Sequence, residues 1–166
     1  MQTFAETVTP YRGEKAGECK GSSHYQFTAA LPAGVVVCQG VADDAAVVPS
    51  SAALVAGAIG VTAYNPLQPA PADVATTNDF PALSVGEVVY EGTIWVICED
   101  AIAAGARVYC RHTANGTGKL QLGAVRSDND GGGATVAYLP SCRAVSTSTG
   151  AGVVKLRVNL PASESA

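Results

Sequence analysis

The sequence predicts an all-β protein: a small β-barrel or jelly-roll-like β-sandwich with an extended N-terminal arm. Three observations carry that expectation. Short apolar runs alternate with a period of two, clusters of Gly, Asn and Pro divide them at close intervals, and no apolar stripe of helical period lasts three turns. A chain of 166 residues suits one domain with one core.

Residues 1–24 are polar and interrupted by Pro10, Gly13, Gly17, Gly21 and Ser22-Ser23, so neither period establishes itself. This segment reads as an arm, either a frayed terminus or one that docks on a neighbour. A single β domain is expected over 25–166. "YQFTA" (25–29) and "GVVVCQGVA" (34–42) have strand character, and Asp43-Asp44 and Pro49-Ser50-Ser51 mark a loop. "ALVAGAIGVTAY" (53–64) reads as a buried strand with glycines at bulges; a helix is the rival, but Val61-Thr62 lean toward strand. Residues 65–82 hold four prolines and are expected as an extended surface loop.

"VGEVVYEGTIWVICE" (85–99) is two β-rich runs around Glu91-Gly92, where Gly92 can take the turn conformation of a hairpin. In "ARVYCRH" (106–112) alternation puts Val108 and Cys110 on one face and Arg107, Tyr109 and Arg111 on the other. Asn115-Gly116 is a strong hairpin signal, after which Leu120, Leu122 and Ala124 return on one face. "SDNDGGG" (127–133) is a further turn. The closing run "GVVKLRVNLP" (152–161) alternates cleanly, with Val154, Leu156, Val158 and Leu160 inward and Lys155, Arg157 and Asn159 outward.

Composition narrows the function classes. Only 14% of residues are charged, well under the usual quarter, which suits a protein covered by partners. A net charge of −4 argues against nucleic-acid binding, which needs a basic face. The N-terminus shows no signal peptide, and the most apolar stretch, Ala52 to Tyr64, is too short for a membrane span. Synthesis in a cytoplasm and no membrane partner are therefore expected. The five cysteines lack close spacing, so Cys38, Cys98, Cys110 and Cys142 are expected as buried, unbridged thiols on strands.

Candidate chemistry is thin. Cys110 and His112 lie two apart and in phase on a strand, but the arginines fall on the opposite face. Cys110 is thus expected as a protonated thiol without an orienting partner, not a nucleophile. Cys98 with Cys110 and His112 falls short of zinc-ligand spacing. Asp128-Asn129-Asp130-Gly131 resembles half a calcium loop but lacks its glutamate. Gly131-Gly132-Gly133 precedes a strand, so it cannot cradle a phosphate at a helix N-terminus. Asn115-Gly116-Thr117 matches a glycosylation sequon but reads as a turn. No catalytic, metal or cofactor residues are expected, and no enzyme.

Three phrases together carry a resemblance: "LPAGVVVCQGVADDAAVVP" (31–49), "FPALSVGEVVYEGTIWVICEDAIAAGARVYCRHTANGTGKLQLGAVRSD" (80–128) and "ATVAYLPSCRAVSTSTGAGVVKLRVNLP" (134–161). They resemble the cement, or decoration, proteins that stabilise tailed-bacteriophage heads. The resemblance implies a small β-barrel or sandwich on the outer surface of the virion capsid, made in the host bacterial cytoplasm. It also implies bridging of neighbouring major capsid subunits against internal genome pressure, no catalytic residues, and a homodimer or homotrimer. Binding through an extended terminus, common in that family, fits the arm. Phe4 and Tyr11 are its only large apolar groups and the expected capsid anchors, with Arg12, Glu14 and Lys15 beside them as orienting charges. Five cysteines are a departure, since a shell outside the cell risks oxidising them. The alternative reading is a carbohydrate- or receptor-binding β domain on the virion, where Trp95 and the tyrosines would line a groove; mid-strand, Trp95 reads as core.

Overall fold

The structure is a computed structural model that describes residues 10–64, 80–116 and 118–161. Its strands among those residues are β1 (Gly21–Phe27), β2 (Val36–Gln39), β3 (Ala45–Val47), β4 (Ala58–Thr62), β5 (Val85–Cys98), β6 (Arg107–Arg111), β7 (Val125–Arg126), β8 (Val136–Ala144) and β9 (Gly152–Asn159). One short helix, α1 (Ala52–Ala56), precedes β4.

Hydrogen bonding joins the strands in the order β1-β3-β2-β4-β5-β7-β6-β8-β9, and β5 also bonds to β1 and to β9. These two extra pairings close the sheet twice. Strands β1, β3, β2, β4 and β5 form one ring of five, and β5, β7, β6, β8 and β9 form a second. The expected all-β class is thus realised as barrel rather than sandwich, and closure leaves few free edges. Strand β5 belongs to both rings: Val85 to Glu91 pairs with β1, and Glu91 to Cys98 pairs antiparallel with β9.

Residue type explains which strands serve two cores. Val35 and Val37 join Tyr25, Phe27, Leu31 and Phe80 in one apolar cluster. Val36, between them in sequence, joins Ile94, Leu139 and Leu156 in the other. Val88 and Val89 divide in the same way. A strand buried on both faces reads as a continuous apolar run, whereas β9, wet on one face, alternates. Each fully buried Val, Leu or Ile contributes roughly 1.5–3 kcal/mol.

Several expectations need correction. The run 85–99 is not a hairpin: Val85–Cys98 forms one 14-residue strand. Its halves find partners on different strands, so nothing requires a reversal at Glu91-Gly92. Gly92 serves a close approach instead: at φ +146°, a Cβ there would lie 2.8 Å from the Cys19 Cα and 3.0 Å from the Glu18 carbonyl oxygen. The run 53–64 divides into both rival readings. Ser51 caps α1 by accepting a bond from the Leu54 amide at 3.3 Å, and strand begins only at Ala58. The return after Asn115-Gly116 is the two-residue β7, with Leu120 exposed and Leu122 half-buried. Most of the Pro-rich loop expected over 65–82 lies outside the described residues. Its Phe80 is core, edge-on to Phe27 at 4.8 Å between centroids.

From Pro10 onward, the stretch expected as an arm over 1–24 hydrogen-bonds to the barrel. The Gly13 amide donates to the Trp95 carbonyl (2.6 Å), the Trp95 amide to the Glu14 carbonyl (2.9 Å), and the Ala16 and Lys20 amides to the Thr93 and Glu91 carbonyls (2.9 Å each). Gly21 to His24 belong to β1. The absence of any strand or helix period was legible in the glycines and the proline; the partner, this chain's own β5, was not.

The crossing at Gly92 yields a stability prediction. Gly92→Ala should lose about 1–3 kcal/mol in urea unfolding, because backbone rather than a flexible side chain occupies the space. Gly17→Ala, with nothing within 4 Å of the added Cβ, should stay within about 0.5 kcal/mol of the parent.

Candidate interaction surface

The candidate contact residues Tyr11, Arg12, Glu14 and Lys15 sit on the segment bonded to β5; Phe4 lies outside the described residues. Tyr11 is exposed and tilts against Tyr64, ring centroids 4.3 Å apart. The Arg12 guanidinium lies 5.9 Å from the Tyr11 ring. Glu14 Oε2 accepts from the Tyr11 amide at 3.1 Å, which closes a tight local turn. Lys15 Nζ pairs with Glu87 Oε1 on β5 at 2.6 Å. Burial alone would raise the Glu87 carboxyl, but hydrogen bonds from Lys15 and Ser22, and the nearby charges of Lys15 and His24, hold it below its ordinary value. The backbone bonds fix these four residues against the barrel before any partner arrives.

Cys110 and His112 are not brought together as a reactive pair. Cys110 is fully buried and its Sγ contacts the Arg111 carbonyl at 3.7 Å. Burial, with minor contributions from Cys38, Cys142 and Glu99, pushes its thiol far above the ordinary range. His112 Nδ1 lies 2.9 Å from Thr113 Oγ1, and its buried Nε2 has no hydrogen-bond partner among the described residues. Cys98 points to Ser148 Oγ at 3.4 Å instead. Among the described residues no group of three His, Cys, Asp or Glu side chains could hold a metal ion. Trp95, expected as core, is only half-buried on the outer face, with Lys155 Nζ 5.1 Å from its ring.

The largest polar feature is one that strand alternation misplaced. Arg111, expected to face outward with Arg107, is fully buried. Its Nε donates to Glu99 Oε1 at 2.5 Å, its Nη2 to Asp130 Oδ2 at 3.0 Å and its Nη1 to the Thr113 carbonyl at 3.0 Å. Arg126 meets Asp130 Oδ1 at 2.8 Å and Asp128 Oδ1 at 2.7 Å, with Glu99 and Asp100 at 3.6 and 3.4 Å. Asn115 Nδ2 and Thr135 Oγ1 donate to Asp130 Oδ2 at 2.8 and 2.6 Å, and Lys119 donates to the Glu99 carbonyl. The end of β5 and the loops 112–124 and 127–135 are thereby tied together. The planar guanidinium fork suits this, since it satisfies several carboxylates at once. At the end of β6 the 127–135 loop covers Arg111 through Asp130, so period two stops predicting exposure there. The legible signal was compositional: two arginines among Glu99, Asp100, Asp128 and Asp130, all in polar connections. These acids already serve the arginines, which accounts for the half calcium loop.

Cys38, Cys98, Cys110 and Cys142 are buried, unbridged and on β2, β5, β6 and β8, as expected; Cys19 is half-buried and also free. Burial pushes the Cys142 thiol up to about 11, and burial likewise raises Cys19, Cys38 and Cys98.

A family model described as structural cement protein (E217 gp24/Pam3 gp6) matches residues 10–159. The chain belongs to this phage structural cement protein family. Its role is accordingly that of a structural protein of the virion. A chain from the capsid of Myoviridae phage XM1 has a similar fold, with TM-score 0.65 and 19% identity, covering 95% of this chain and 98% of that one. The head fibre gp8.5 N base of bacteriophage phi29 aligns at TM-score 0.42 and 15% identity, covering 83% of this chain and 92% of that one. A search of curated proteins finds no match.

The loop network of this cement protein should set its acid stability. The Thr135 hydroxyl, then the Arg111 guanidinium, hold the Asp130 carboxyl well below the usual carboxylate range. With the folded-state value depressed, its stabilisation is full above the unfolded value of about 3.9 and is lost as pH falls through the folded value. Asp130→Asn should therefore flatten the decline of the melting temperature below about pH 4. Arg111→Leu, which takes the guanidinium from buried Glu99 Oε1 and leaves Arg126 alone to face both acids, should cost about 3–5 kcal/mol at neutral pH. Thiol titration of the native protein at pH 8 should modify Cys19 first, with the four buried thiols reacting only in denaturant.

Proposed function

We propose that this cement protein binds the outer surface of the phage head and ties neighbouring major capsid subunits together against the pressure of the packed genome. The family match over residues 10–159 is the observation that carries the reading. Two physical features support it. A pair of closed barrels that share a strand transmits load through hydrogen-bonded ladders rather than through a loose hinge. Segment 10–20, bonded to β5, offers Tyr11, Arg12 and Glu14 on a firm base. A non-catalytic role belongs to the same proposal, supported by buried arginines that pair with acids and by thiols whose pKa burial raises. Self-association at the symmetry axes of the lattice, as a homodimer or homotrimer, belongs to the same proposal, as does synthesis in the host cytoplasm.

The proposed anchor is the N-terminal arm over residues 1–24, with Phe4 and Tyr11 as its apolar contacts and Arg12, Glu14 and Lys15 beside them. Ordering a segment on a partner costs roughly 1–2 kcal/mol per residue in backbone entropy, so its contacts must exceed that. Aromatic groups are economical here, burying much area for few rotatable bonds. The test adds purified protein to shells that lack it and measures occupancy and the temperature at which shells rupture. The full chain is expected to decorate the shells and raise that temperature; failure to bind rejects the proposal. Deleting 2–9, Phe4 included, should abolish decoration, with the melting temperature measured alongside to show that the domain still folds. Deleting 2–24 should unfold the domain, because it removes the bonds of segment 10–20 to β5 and the first four of the seven residues of β1. Full decoration by the 2–9 deletion rules out the arm as anchor.

A further inference from the structure

The outer face of the second ring carries a charge arrangement that folding itself does not need. Register places Arg107 of β6 opposite Arg143 of β8, and Arg143 opposite Arg157 of β9. Three exposed arginines therefore stand side by side on adjacent strands. Lys155 follows two residues along β9, over Trp95. Like charges directly opposite one another on paired strands repel and destabilise the sheet. Among the described residues none of these four cations forms an ion pair, whereas Arg111 and Arg126 together engage Glu99, Asp100, Asp128 and Asp130. Glu18 and Glu91 line the groove beside Lys155 and Arg157 without pairing with them. A chain with 14 acids and 10 bases does not lack carboxylates; they are placed elsewhere.

A second, independent feature builds this face. Tyr109 lies opposite Tyr138 while Arg107 lies opposite Arg143, so two steps on β6 correspond to five on β8. The surplus forms a bulge at 139–142, with Pro140 offering no amide and Ser141 held at φ 60°. That conformation costs a non-glycine residue about 1–2 kcal/mol. Its effect is to bring Tyr138 beside Arg143, whose Nη1 donates to the tyrosine hydroxyl at 3.4 Å. The Arg107 guanidinium lies 5.9 Å from the same ring, and Tyr109 packs edge-on to it at 5.8 Å. Arg107 is thus steadied on the Tyr138 ring and Arg143 by the Tyr138 hydroxyl, while both charges stay in solvent. Exposed arginine and tyrosine held in this way are the residue types that dominate protein interfaces.

We propose that the Arg107–Tyr138–Arg143–Arg157 face docks an acidic protein surface and, resting on the function proposed above, that this surface belongs to the capsid shell. Adjacent strands lie about 4.8 Å apart, so the three arginines rise from neighbouring positions that suit a cluster of carboxylates on a folded partner. Phosphate backbones call for a broader positive field than an acidic chain supplies. Docking an acidic partner relieves the repulsion along the row, so the interaction gains what the isolated fold gives up.

The test compares the full-length parent, Arg143→Glu, and the triple variant R107Q/R143Q/R157Q on shells that lack the protein, across a salt series. The triple variant is expected to melt at or above the parent temperature, since it removes like-charge repulsion. It should nevertheless bind at least about tenfold more weakly, with a shallower dependence on salt. Arg143→Glu should bind more weakly still, and polyglutamate should compete better than short duplex DNA. Parent-like binding and salt dependence in the triple variant overturn the proposal while leaving the cement function intact. A lower melting temperature in step with lost binding overturns it too, by making the row structural. Better competition by duplex DNA, or conversion to monomer with shell binding retained, assigns the face to nucleic acid or to a second copy and likewise overturns it. No binding by the parent rejects both this proposal and the function on which it rests.

Discussion

Strand β5 is the element on which the rest of the molecule depends, because neither barrel closes without it. Its first half completes the ring with β1 and β4, and its second half completes the ring with β9. The N-terminal segment lies along it too, through bonds at Glu91, Thr93 and Trp95. A single continuous ladder therefore carries three sets of partners, and at Gly92, where the rings meet, the backbone of Cys19 passes so close that a side chain has no room. The two apolar clusters are consequently neighbours across shared strands rather than separate cores: Val35 and Val37 serve one, and Val36 the other.

This arrangement bears on the role proposed above, in which the protein bridges subunits of the shell. Loads in a shell act on whatever bridges its subunits, and a bridging body with a soft joint would yield there first. Fusing two closed rings through one strand leaves no such joint between them. The loop network around Arg111 serves the same end where secondary structure is sparse, since β7 is only two residues long. Its loops are held by charge-assisted bonds from Arg111 and Arg126 instead of by a ladder. Buried ion pairs of this kind specify geometry more than they stabilise, because the cost of desolvation offsets much of their attraction.

What was legible in the sequence followed from local physics. Period two in 152–161 gave β9 with the correct faces, and the apolar surroundings of Cys38, Cys98, Cys110 and Cys142 gave four buried thiols. Failures arose where distant partners overrode a local signal. Glu91-Gly92 looks like a turn to its neighbours in sequence, yet β1 and β9 hold the two halves in line. Arg111 obeys alternation on paper, yet Asp130, nineteen residues on, covers it. Segment 10–20 has no period of its own and is held in place by its bonds to β5. The arginine row was invisible for the same reason: Arg107, Arg143 and Arg157 are far apart in the chain and meet only through strand register. Of the contact residues named from sequence, the structure places Tyr11, Arg12, Glu14 and Lys15 on one bonded segment.

Native-state hydrogen exchange of the β5 amides, followed across a denaturant series, tests most directly whether the two barrels behave as one body. Amides in the half from Val85 to Glu91 and in the half from Glu91 to Cys98 should converge on a single opening free energy equal to that of global unfolding, as one cooperative unit requires. Exchange of either half at a distinctly lower free energy, with the other half still protected, would contradict the account by showing that one ring opens while its neighbour stands.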